Sequence, residues 1–163
     1  MLPHPPHPLQ KLAIFAITMK DLQLFNAQTD DELSLSFADA GIHAGFPSPA
    51  QDYIESGIDL NKELVRHKAA TFYGRVVGDS MTDAGIDEGD IIVIDKSLDP
   101  ADGDLVVCYI DGEFALKFLH IDNDQLLLLP ANKAYAPIPV TNPDDFRVWG
   151  VVTYTIKKRN HRI

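Results

Sequence analysis

Apolar residues follow a strand-like pattern from residue 71 almost to the end of the chain. Six runs rich in Val, Ile, Leu, Phe and Tyr are predicted to form β-strands, at residues 71–77, 91–95, 104–109, 113–120, 125–129 and 147–156. Acidic and glycine-containing turns separate these runs, and Asp111-Gly112 between two of them predicts a tight hairpin. This spacing of short strands and turns predicts a compact, mainly β domain.

The pattern before residue 71 is different. Residues 9–28 contain an apolar stretch that fits either a strand or a short helix, because periodicity alone does not decide between them. Residues 40–49 contain two glycines and two prolines, which predict an extended, exposed linker. Short helices are predicted at residues 52–55 and 59–67, the second with Asp59 as its N-cap.

Length and charge narrow the class of protein. The 163 residues, 45% of them apolar, fit one domain with a single core and a modest extension. The formal net charge is −10, from 24 acidic and 14 basic residues, and an acidic surface repels nucleic-acid phosphates. We therefore expect no direct sequence-specific DNA binding, and interpret the basic residues at 157–162 as a solvated end.

The chain has a single cysteine, Cys108, which excludes an intrachain disulfide and suits a reducing cytoplasm. Cys108 lies in an apolar run, so we expect a buried thiol rather than a catalytic one. No run approaches the roughly 20 apolar residues that a membrane-spanning helix needs. The expectation is a cytoplasmic protein without membrane contact.

Ser80 is the first residue that points to chemistry. It follows a predicted strand within Gly78-Asp79-Ser80-Met81, and a serine on a tight turn after a strand is exposed. Gly78 lets a peptide backbone approach closely. Main-chain N–H groups at Ser80 and at a neighbouring residue are candidates to bind a developing oxyanion. Taken alone, the tetrapeptide is weak evidence, because a serine in this setting is usually an ordinary turn residue.

Lys117 is the second candidate. Strand alternation puts it on one face with Glu113, Ala115 and Leu119, among the apolar neighbours of the run 113–119. Taken alone, a lysine at such a position is usually an edge residue whose stem reaches to water. A lysine activates a serine only when neutral, and an exposed lysine, with a pKa near 10.4, is neutral in about one molecule in 2,500 at pH 7. Burial disfavours the ammonium and lowers such a pKa by several units. A Ser–Lys pair of this kind performs acyl transfer without histidine.

The histidines do not provide a competing base or a metal site. His120 lies three residues after Lys117 and therefore on the opposite face of the same predicted strand. His4 and His7, in the Pro/His-rich start of the chain, have no third ligand nearby, so no metal is expected. No feature of the sequence implies a cofactor.

These residues together resemble the UmuD-like branch of the LexA-like self-cleaving Ser–Lys peptidases, peptidase family S24. The resemblance covers about residues 44–156 and rests on an ordered series of short motifs. They include Ala44-Gly45-Phe46-Pro47-Ser48-Pro49-Ala50, Asp52-Tyr53-Ile54-Glu55, Ile58-Asp59-Leu60-Asn61, Gly78-Asp79-Ser80-Met81, Asp111-Gly112-Glu113-Phe114 with Lys117, Tyr135, and Gly150-Val151-Val152.

The resemblance implies a fold and a site. The fold is a LexA- and signal-peptidase-like pseudo-barrel of curved sheets with short helices, preceded by an extended N-terminal arm. Ser80 matches the nucleophile, Lys117 the general base and Ala44–Gly45 the bond that is cut, which divides an arm, residues 1–44, from a peptidase domain, residues 45–163. Gly78, Asp79 and Met81 are expected to support the nucleophile and the oxyanion.

The resemblance also implies partners. Proteins of this branch form homodimers and cut themselves when stimulated by a RecA filament on single-stranded DNA. The shortened form joins a Y-family, UmuC-like polymerase subunit for error-prone synthesis past DNA lesions. None of this follows from composition or periodicity.

The main alternative is a LexA-type transcriptional repressor, which needs a helix-turn-helix before the cleavage site. Residues 1–43 begin Pro-rich and carry only Lys11 and Lys20 as basic residues, which disfavours it. A signal-peptidase-like enzyme acting on other proteins would normally have a membrane anchor. A binding module in which Ser80 and Lys117 are merely structural is the remaining alternative.

Overall fold

The computed structural model describes residues 22–27, 34–37, 56–123 and 125–159. These residues contain one short α-helix, α1 (Leu60–Leu64), and a series of β-strands. The strands are β1 (Leu22–Asn26), β2 (Ser34–Phe37), β3 (Ser56–Asp59), β4 (Thr71–Val76), β5 (Ile91–Asp95), β6 (Leu105–Ile110), β7 (Glu113–Asp122), β8 (Gln125–Leu129), β9 (Ile138–Pro139) and β10 (Phe146–Ile156).

Eight of these strands form one sheet in the order β1-β4-β5-β10-β6-β7-β8-β9, and β2 pairs with β3 in a separate two-stranded sheet. Neighbouring strands are antiparallel throughout. The long β10 pairs with β6 through its first half and with β5 through its second half, and its register shifts at Val148/Gly150 and Val152/Tyr154. Bulges of this kind bend a strand and increase its twist. The predicted mainly β fold with few helices is confirmed.

The central strands are buried on both faces. Phe114 and Leu116 of β7 belong to one apolar cluster, whereas Ala115 and Leu119 belong to a second cluster. Successive side chains of a strand point to opposite faces, so β7 separates the two clusters. Lys117 shares its face with Ala115 and Leu119, which places a charged residue type on a buried surface.

All six predicted strands are confirmed to within two residues at each end. The turn between β6 and β7 is the predicted hairpin, in which Asp111 and Gly112 both have positive φ values, 50° and 85°. The undecided stretch at 9–28 contains a strand, β1, whereas residues 9–21 and 28 lie outside the described residues. The short strands β2, β3 and β9 were not predicted, because none carries a long alternating pattern.

The predicted helix at 59–67 is too long. Asp59 does cap it, because its carboxylate accepts a hydrogen bond from Asn61 N at 3.0 Å, but the helix ends at Leu64. Val65 takes an extended conformation and is only 4% exposed, so burial of this β-branched side chain ends the helix. The predicted helix at 52–55 and the linker at 40–49 lie outside the described residues. No described helix is long and apolar enough to cross a membrane.

Candidate active site

The loop that carries Ser80 begins where β4 ends. Gly78 has a φ of 86°, a left-handed conformation that glycine adopts without steric cost. On the other side of Ser80, Met81 is 2% exposed and packs in the apolar cluster that also contains Val76 and Ile86. A glycine turn before the serine and a buried anchor after it hold Ser80 at the rim of the sheet.

A second loop, residues 131–135, holds Asp79 and Ser80 in place through three hydrogen bonds. Ala131 N donates to Ser80 O at 2.9 Å, and Asn132 Nδ2 donates to Asp79 O at 2.8 Å. The hydroxyl of Tyr135 donates to Asp79 Oδ1 at 2.5 Å. Sequence reasoning singled out Tyr135 only within the resemblance and missed Asn132, because no pattern in the chain connects residues more than 50 positions apart.

Lys117 reaches Ser80 from the middle of β7. Its residue partner on β6 is Val106, which is fully buried, and Lys117 itself is only 7% exposed. Lys117 Nζ lies 2.8 Å from Ser80 Oγ and donates a second hydrogen bond to Leu116 O at 2.9 Å. The fold therefore brings together the two side chains that the sequence singled out, although 37 residues separate them.

The geometry has a direct chemical meaning. An ammonium at this distance donates to the serine oxygen, whereas the neutral amine has a lone pair that accepts the hydroxyl proton. Burial favours the neutral form. A serine that loses its proton to a base within hydrogen-bond distance becomes a competent nucleophile towards a carbonyl carbon.

An open cleft gives access to both groups. It has a volume of about 310 Å³ and is lined by apolar and polar side chains from three parts of the chain. They are Val77, Gly78, Asp79, Ser80, Ile110, Asp111, Glu113, Phe114, Ala115, Lys117, Tyr135 and Ile138. Of the expected supporting residues, Gly78 and Asp79 line this cleft, whereas Met81 lies beneath it in the core.

Main-chain donors are available beside the serine. Within the described parts of the chain, no acceptor pairs with the N–H groups of Asp79 and Ser80. Because unpaired N–H groups next to a nucleophile are suited to an oxyanion, these two are the candidates for that role.

Ala44 and Gly45 lie outside the described residues, but the strands on either side constrain them. Phe37, the last residue of β2, pairs with Ser56, the first residue of β3. The two ends of segment 38–55 therefore lie next to each other, at the paired residues Phe37 and Ser56. Ala44 is seven positions after Phe37, so an extended chain carries it at most about 25 Å from this point.

The described histidines have other partners. His120 Nδ1 lies 3.1 Å from Asp102 Oδ1. His67 Nδ1 lies 2.6 Å from Asp95 Oδ2 and 3.0 Å from Ser97 Oγ, so carboxylate and hydroxyl contact the same ring nitrogen. A Ser–His–Asp relay needs the two on opposite ring nitrogens, and this cluster therefore lacks its geometry. The described residues hold no group of three or more His, Cys, Asp or Glu placed to bind a metal ion.

Cys108 is fully buried, and its thiol lies 3.5 Å from Ala115 O. Burial raises the pKa of this thiol to about 11, although the charge of Lys117 acts in the opposite direction. At neutral pH the group is an uncharged thiol rather than a nucleophilic thiolate. The predicted buried, unreactive environment of Cys108 is confirmed.

Fold and site together define a β protein with a serine and a buried lysine in contact at an open cleft, an arrangement suited to acyl transfer. Comparison with known proteins gives the family. The profile described as Peptidase S24-like matches residues 37–153. SamA of Salmonella typhimurium is 46% identical over 115 residues, which cover 71% of this chain and 79% of SamA. MucA of Escherichia coli is 41% identical over 125 residues, which cover 76% of this chain and 84% of MucA.

The chain belongs to the S24 peptidase family, in its UmuD-like branch. The LexA repressor of Syntrophotalea carbinolica is also similar, at 45% identity over 86 residues, which cover 53% of this chain and 43% of that repressor. The similarity to MucA therefore extends over a larger share of both proteins than the similarity to the repressor does.

Proposed function

We propose that this protein cuts its own chain between Ala44 and Gly45, with Ser80 as nucleophile and Lys117 as general base. In this mechanism Lys117 takes the hydroxyl proton of Ser80, whose oxygen attacks the carbonyl carbon of Ala44. The N–H groups of Asp79 and Ser80 bind the resulting oxyanion. The nitrogen of Gly45 leaves with a proton from Lys117, and water then hydrolyses the acyl-enzyme.

The observation that carries the proposal is the 2.8 Å distance between Lys117 Nζ and Ser80 Oγ, at a lysine that is only 7% exposed. A surface lysine reaches its neighbours through water and stays charged. Burial of this amine beside the hydroxyl of Ser80 and the carbonyl oxygen of Leu116 serves no evident packing purpose, since an apolar residue would fill the same space at lower cost. Its position is therefore best explained by proton transfer.

The small residues at the proposed bond agree with the cleft. Gly45 has no side chain and Ala44 has only a methyl group, so the main chain can approach Ser80 closely. The pairing of β2 with β3 returns the chain on both sides of the bond to one place. Because both ends of segment 38–55 are fixed in this way, the entropy cost of bringing the bond to the cleft is that of closing one loop of this length.

We further propose the cellular role that membership of the UmuD-like branch supports. The protein acts in the cytoplasm as a homodimer, and a RecA filament on single-stranded DNA stimulates the cut. The processed form, residues 45–163, then serves as accessory subunit of a Y-family, UmuC-like polymerase during translesion synthesis. The net charge of −10 supports a role through protein partners rather than through DNA binding.

Intact mass tests the reaction directly. Purified protein is incubated at neutral pH, at about pH 10, and at neutral pH with RecA, single-stranded DNA and a nucleotide. Fragments of residues 1–44 and 45–163 are expected at high pH, which raises the fraction of neutral Lys117, and with RecA, which is the proposed stimulus of the cut. Ser80→Ala and Lys117→Ala should give no fragments.

A matched control separates the proposed base from lysines in general. Lys96→Ala removes an amine that lies 4.6 Å from the ring of Trp149, and this variant should cleave like the wild type. A wild-type chain that stays whole in every condition would overturn the self-cleavage proposal. A Lys117→Ala variant that cuts at the wild-type rate would overturn the assignment of the base.

A further inference from the structure

The strand β1 lies on the N-terminal side of the proposed cut but belongs to the main sheet. It occupies one edge and pairs with β4 through five residue pairs, from Leu22↔Val76 to Asn26↔Phe72. Among the strands that the structure describes, β1 lies at the edge of the sheet and has β4 as its one neighbour. The interface between the two strands is therefore a site at which one extended segment is bound.

Side-chain burial shows that this pairing is more than a ladder of main-chain bonds. Leu22 is fully buried and Leu24 is 7% exposed, whereas Phe25 on the other face is 40% exposed. Both leucines pack in the cluster that contains Met81, the residue after Ser80. The part of the chain that precedes the cut thus completes the core beneath the nucleophile.

The groove on β4 is shaped for this segment. Gly74 lies opposite Leu24, and a Cβ atom at Gly74 would lie 3.1 Å from Leu22 Cδ1 and 3.0 Å from Ile92 Cγ1. The missing side chain at Gly74 leaves the space that Leu22 fills. Departure of β1 would leave an apolar cavity and an unpaired strand edge, both of which are unfavourable in water.

A second pairing joins the same two pieces. The strand β2 also precedes the cut, and it pairs with β3 through four residue pairs, from Ser34↔Asp59 to Phe37↔Ser56. The proposed bond lies between β2 and β3, so cutting it breaks neither ladder. The N-terminal piece would be held at two places after the chain is severed.

We infer that cleavage alone does not release the N-terminal piece: residues 1–44 stay bound to residues 45–163 through β1 on the edge of β4. The groove is thus a binding site for an extended segment with the pattern Leu-x-Leu, which the protein's own N-terminal piece occupies until a competitor replaces it. The inference rests on the proposed function, because it requires a break between β2 and β3. It adds a separate step, displacement, between cutting and exposure of the β4 edge.

The test cuts the chain without using its own chemistry. In a Ser80→Ala background, residues 46–51 are replaced by the recognition sequence of a site-specific protease, and that protease cuts the folded protein. Denaturing mass spectrometry should show two pieces, whereas native mass spectrometry and size exclusion should show one complex. Separate elution of a small piece and a folded large piece would overturn the inference. Since Ser80 is absent, neither result depends on whether the protein cuts itself.

Variants of β1 identify the contact. Leu22→Ala and Leu24→Ala should each speed dissociation of the small piece about thirtyfold or more, because each removes buried atoms from the groove. Phe25→Ala, on the exposed face, is the matched control and should dissociate at the parent rate. If a leucine variant fails to fold before cutting, as judged by Trp149 emission, Leu→Val at the same position carries the test with a smaller expected change. If the leucine variants release the small piece as slowly as the parent protein does, other contacts hold it and the assignment to β1 is wrong.

A labelled peptide provides the complementary measurement. A synthetic peptide of residues 18–30 should bind the cut protein slowly, at a rate limited by loss of its own β1, and should not bind the uncut protein. The same peptide with Asp in place of Leu22 and Leu24 should bind neither form. Equal binding of the wild-type peptide to cut and uncut protein would contradict the proposed site.

Discussion

Asp79 is held through both its main chain and its side chain by the loop that follows β8. Tyr135 Oη donates to its carboxylate and Asn132 Nδ2 donates to its carbonyl oxygen. Because Tyr135 holds Asp79 rather than a reacting atom in the proposed mechanism, we assign it as a positioning residue. Its role is to fix the main chain immediately before the nucleophile.

Replacing Tyr135 by Phe should slow self-cleavage without changing its pH dependence. Loss of one hydrogen bond to a partly exposed carboxylate costs about 1 kcal/mol, which corresponds to a rate about five times lower. The pH profile should keep its shape because the phenol transfers no proton in the mechanism. Intact-mass time courses at several pH values measure both quantities.

The control for this variant is Tyr109→Phe, because Tyr109 is similarly exposed, at 41% against 46% for Tyr135. It should cleave like the wild type. A Tyr135→Phe variant with an unchanged rate would show that Asn132 and Ala131 position the loop by themselves. A shifted pH profile would instead assign Tyr135 a part in proton transfer.

Cys108 should be unreactive in the folded protein. Its thiol is fully buried and has a pKa raised by burial to about 11, so at pH 8 about one thiol in a thousand is ionised. A chromogenic disulfide reagent at pH 8 should titrate one thiol per chain only after denaturant is added. Reaction within minutes while Trp149 emission is unchanged would contradict the described burial.

Alternation along one strand predicts the face of Lys117 but not its partner. The apolar neighbours of Lys117 in sequence indicate a buried surface, and the structure places it on the face of Ala115 and Leu119. Its contact with Ser80 depends on a loop 37 residues away, which periodicity does not reach. Chemical reasoning proposed the pair and the resemblance to a family supported it, and their catalytic roles stay predictions. Asn132 carries no local signal at all, since an asparagine in a loop is ordinary.

The sheet contains two glycines whose replacement should differ in cost. A Cβ atom on Gly150 of β10 would lie 2.7 Å from Ile94 Cγ2 and 3.2 Å from the carbonyl oxygen of Asp95. The main chain of β5 cannot move without breaking its pairing with β10. At Gly74 of β4 the nearest atoms are the side-chain atoms Ile92 Cγ1, Leu22 Cδ1 and Ile94 Cδ1, at 3.0–3.2 Å.

Gly150→Ala should therefore destabilise the protein more than Gly74→Ala. We expect a loss of about 2–3 kcal/mol at Gly150 and about 1 kcal/mol at Gly74, in line with overpacked cores. Urea unfolding followed by Trp149 fluorescence measures both. Equal losses would show that the main chain of β5 shifts to make room for the new methyl group at residue 150 despite its pairing with β10.

Patterns predicted the long strands and failed where burial competes with local preference. Residues 91–95 and 125–129 carry runs of branched and apolar residues, and both form strands with the predicted limits. In contrast, residues 65–67 continue a helical pattern, but Val65 is drawn into the core and the helix stops at Leu64. Four-residue strands such as β2 and β3 depend on each other for pairing, which is a property of the fold rather than of either segment.

A polar network connects the start of β4 with the end of β5. Asp95 is 3% exposed, and its carboxylate accepts hydrogen bonds from Ser97 N at 2.8 Å and Ser97 Oγ at 2.6 Å, while His67 Nδ1 lies 2.6 Å away. The carbonyl oxygen of His67 accepts a hydrogen bond from the hydroxyl of Thr71, the first residue of β4. It also accepts one from the main-chain N–H of Ala70, the residue before β4. The network therefore joins the segment after α1 to the centre of the sheet.

The stability of the whole molecule should fall in acid because of this carboxylate. Burial raises the pKa of Asp95, but hydrogen bonds from Ser97 and His67 outweigh it and hold the pKa below its usual value. A lowered carboxyl pKa stabilises the fold fully above the unfolded-state value near 3.9, and that stabilisation is lost as the pH falls through the folded-state value. The free energy of unfolding, measured by urea titration of Trp149 fluorescence, should therefore decrease below about pH 4.

Asp95→Asn should remove part of this dependence. The amide cannot ionise and makes weaker hydrogen bonds, so we expect a loss of about 1–3 kcal/mol at pH 7 and a shallower decrease below pH 4. Asp99→Asn, at an exposed position four residues further on, is the control and should follow the wild-type curve at every pH. If Asp95→Asn instead ran parallel to the wild type down to pH 3, the acid sensitivity would belong to other carboxylates. Asp90 would then be the first to replace, because burial raises its pKa but hydrogen bonds from Lys157 and from the main chain of Asp87 outweigh burial and hold the pKa below its usual value.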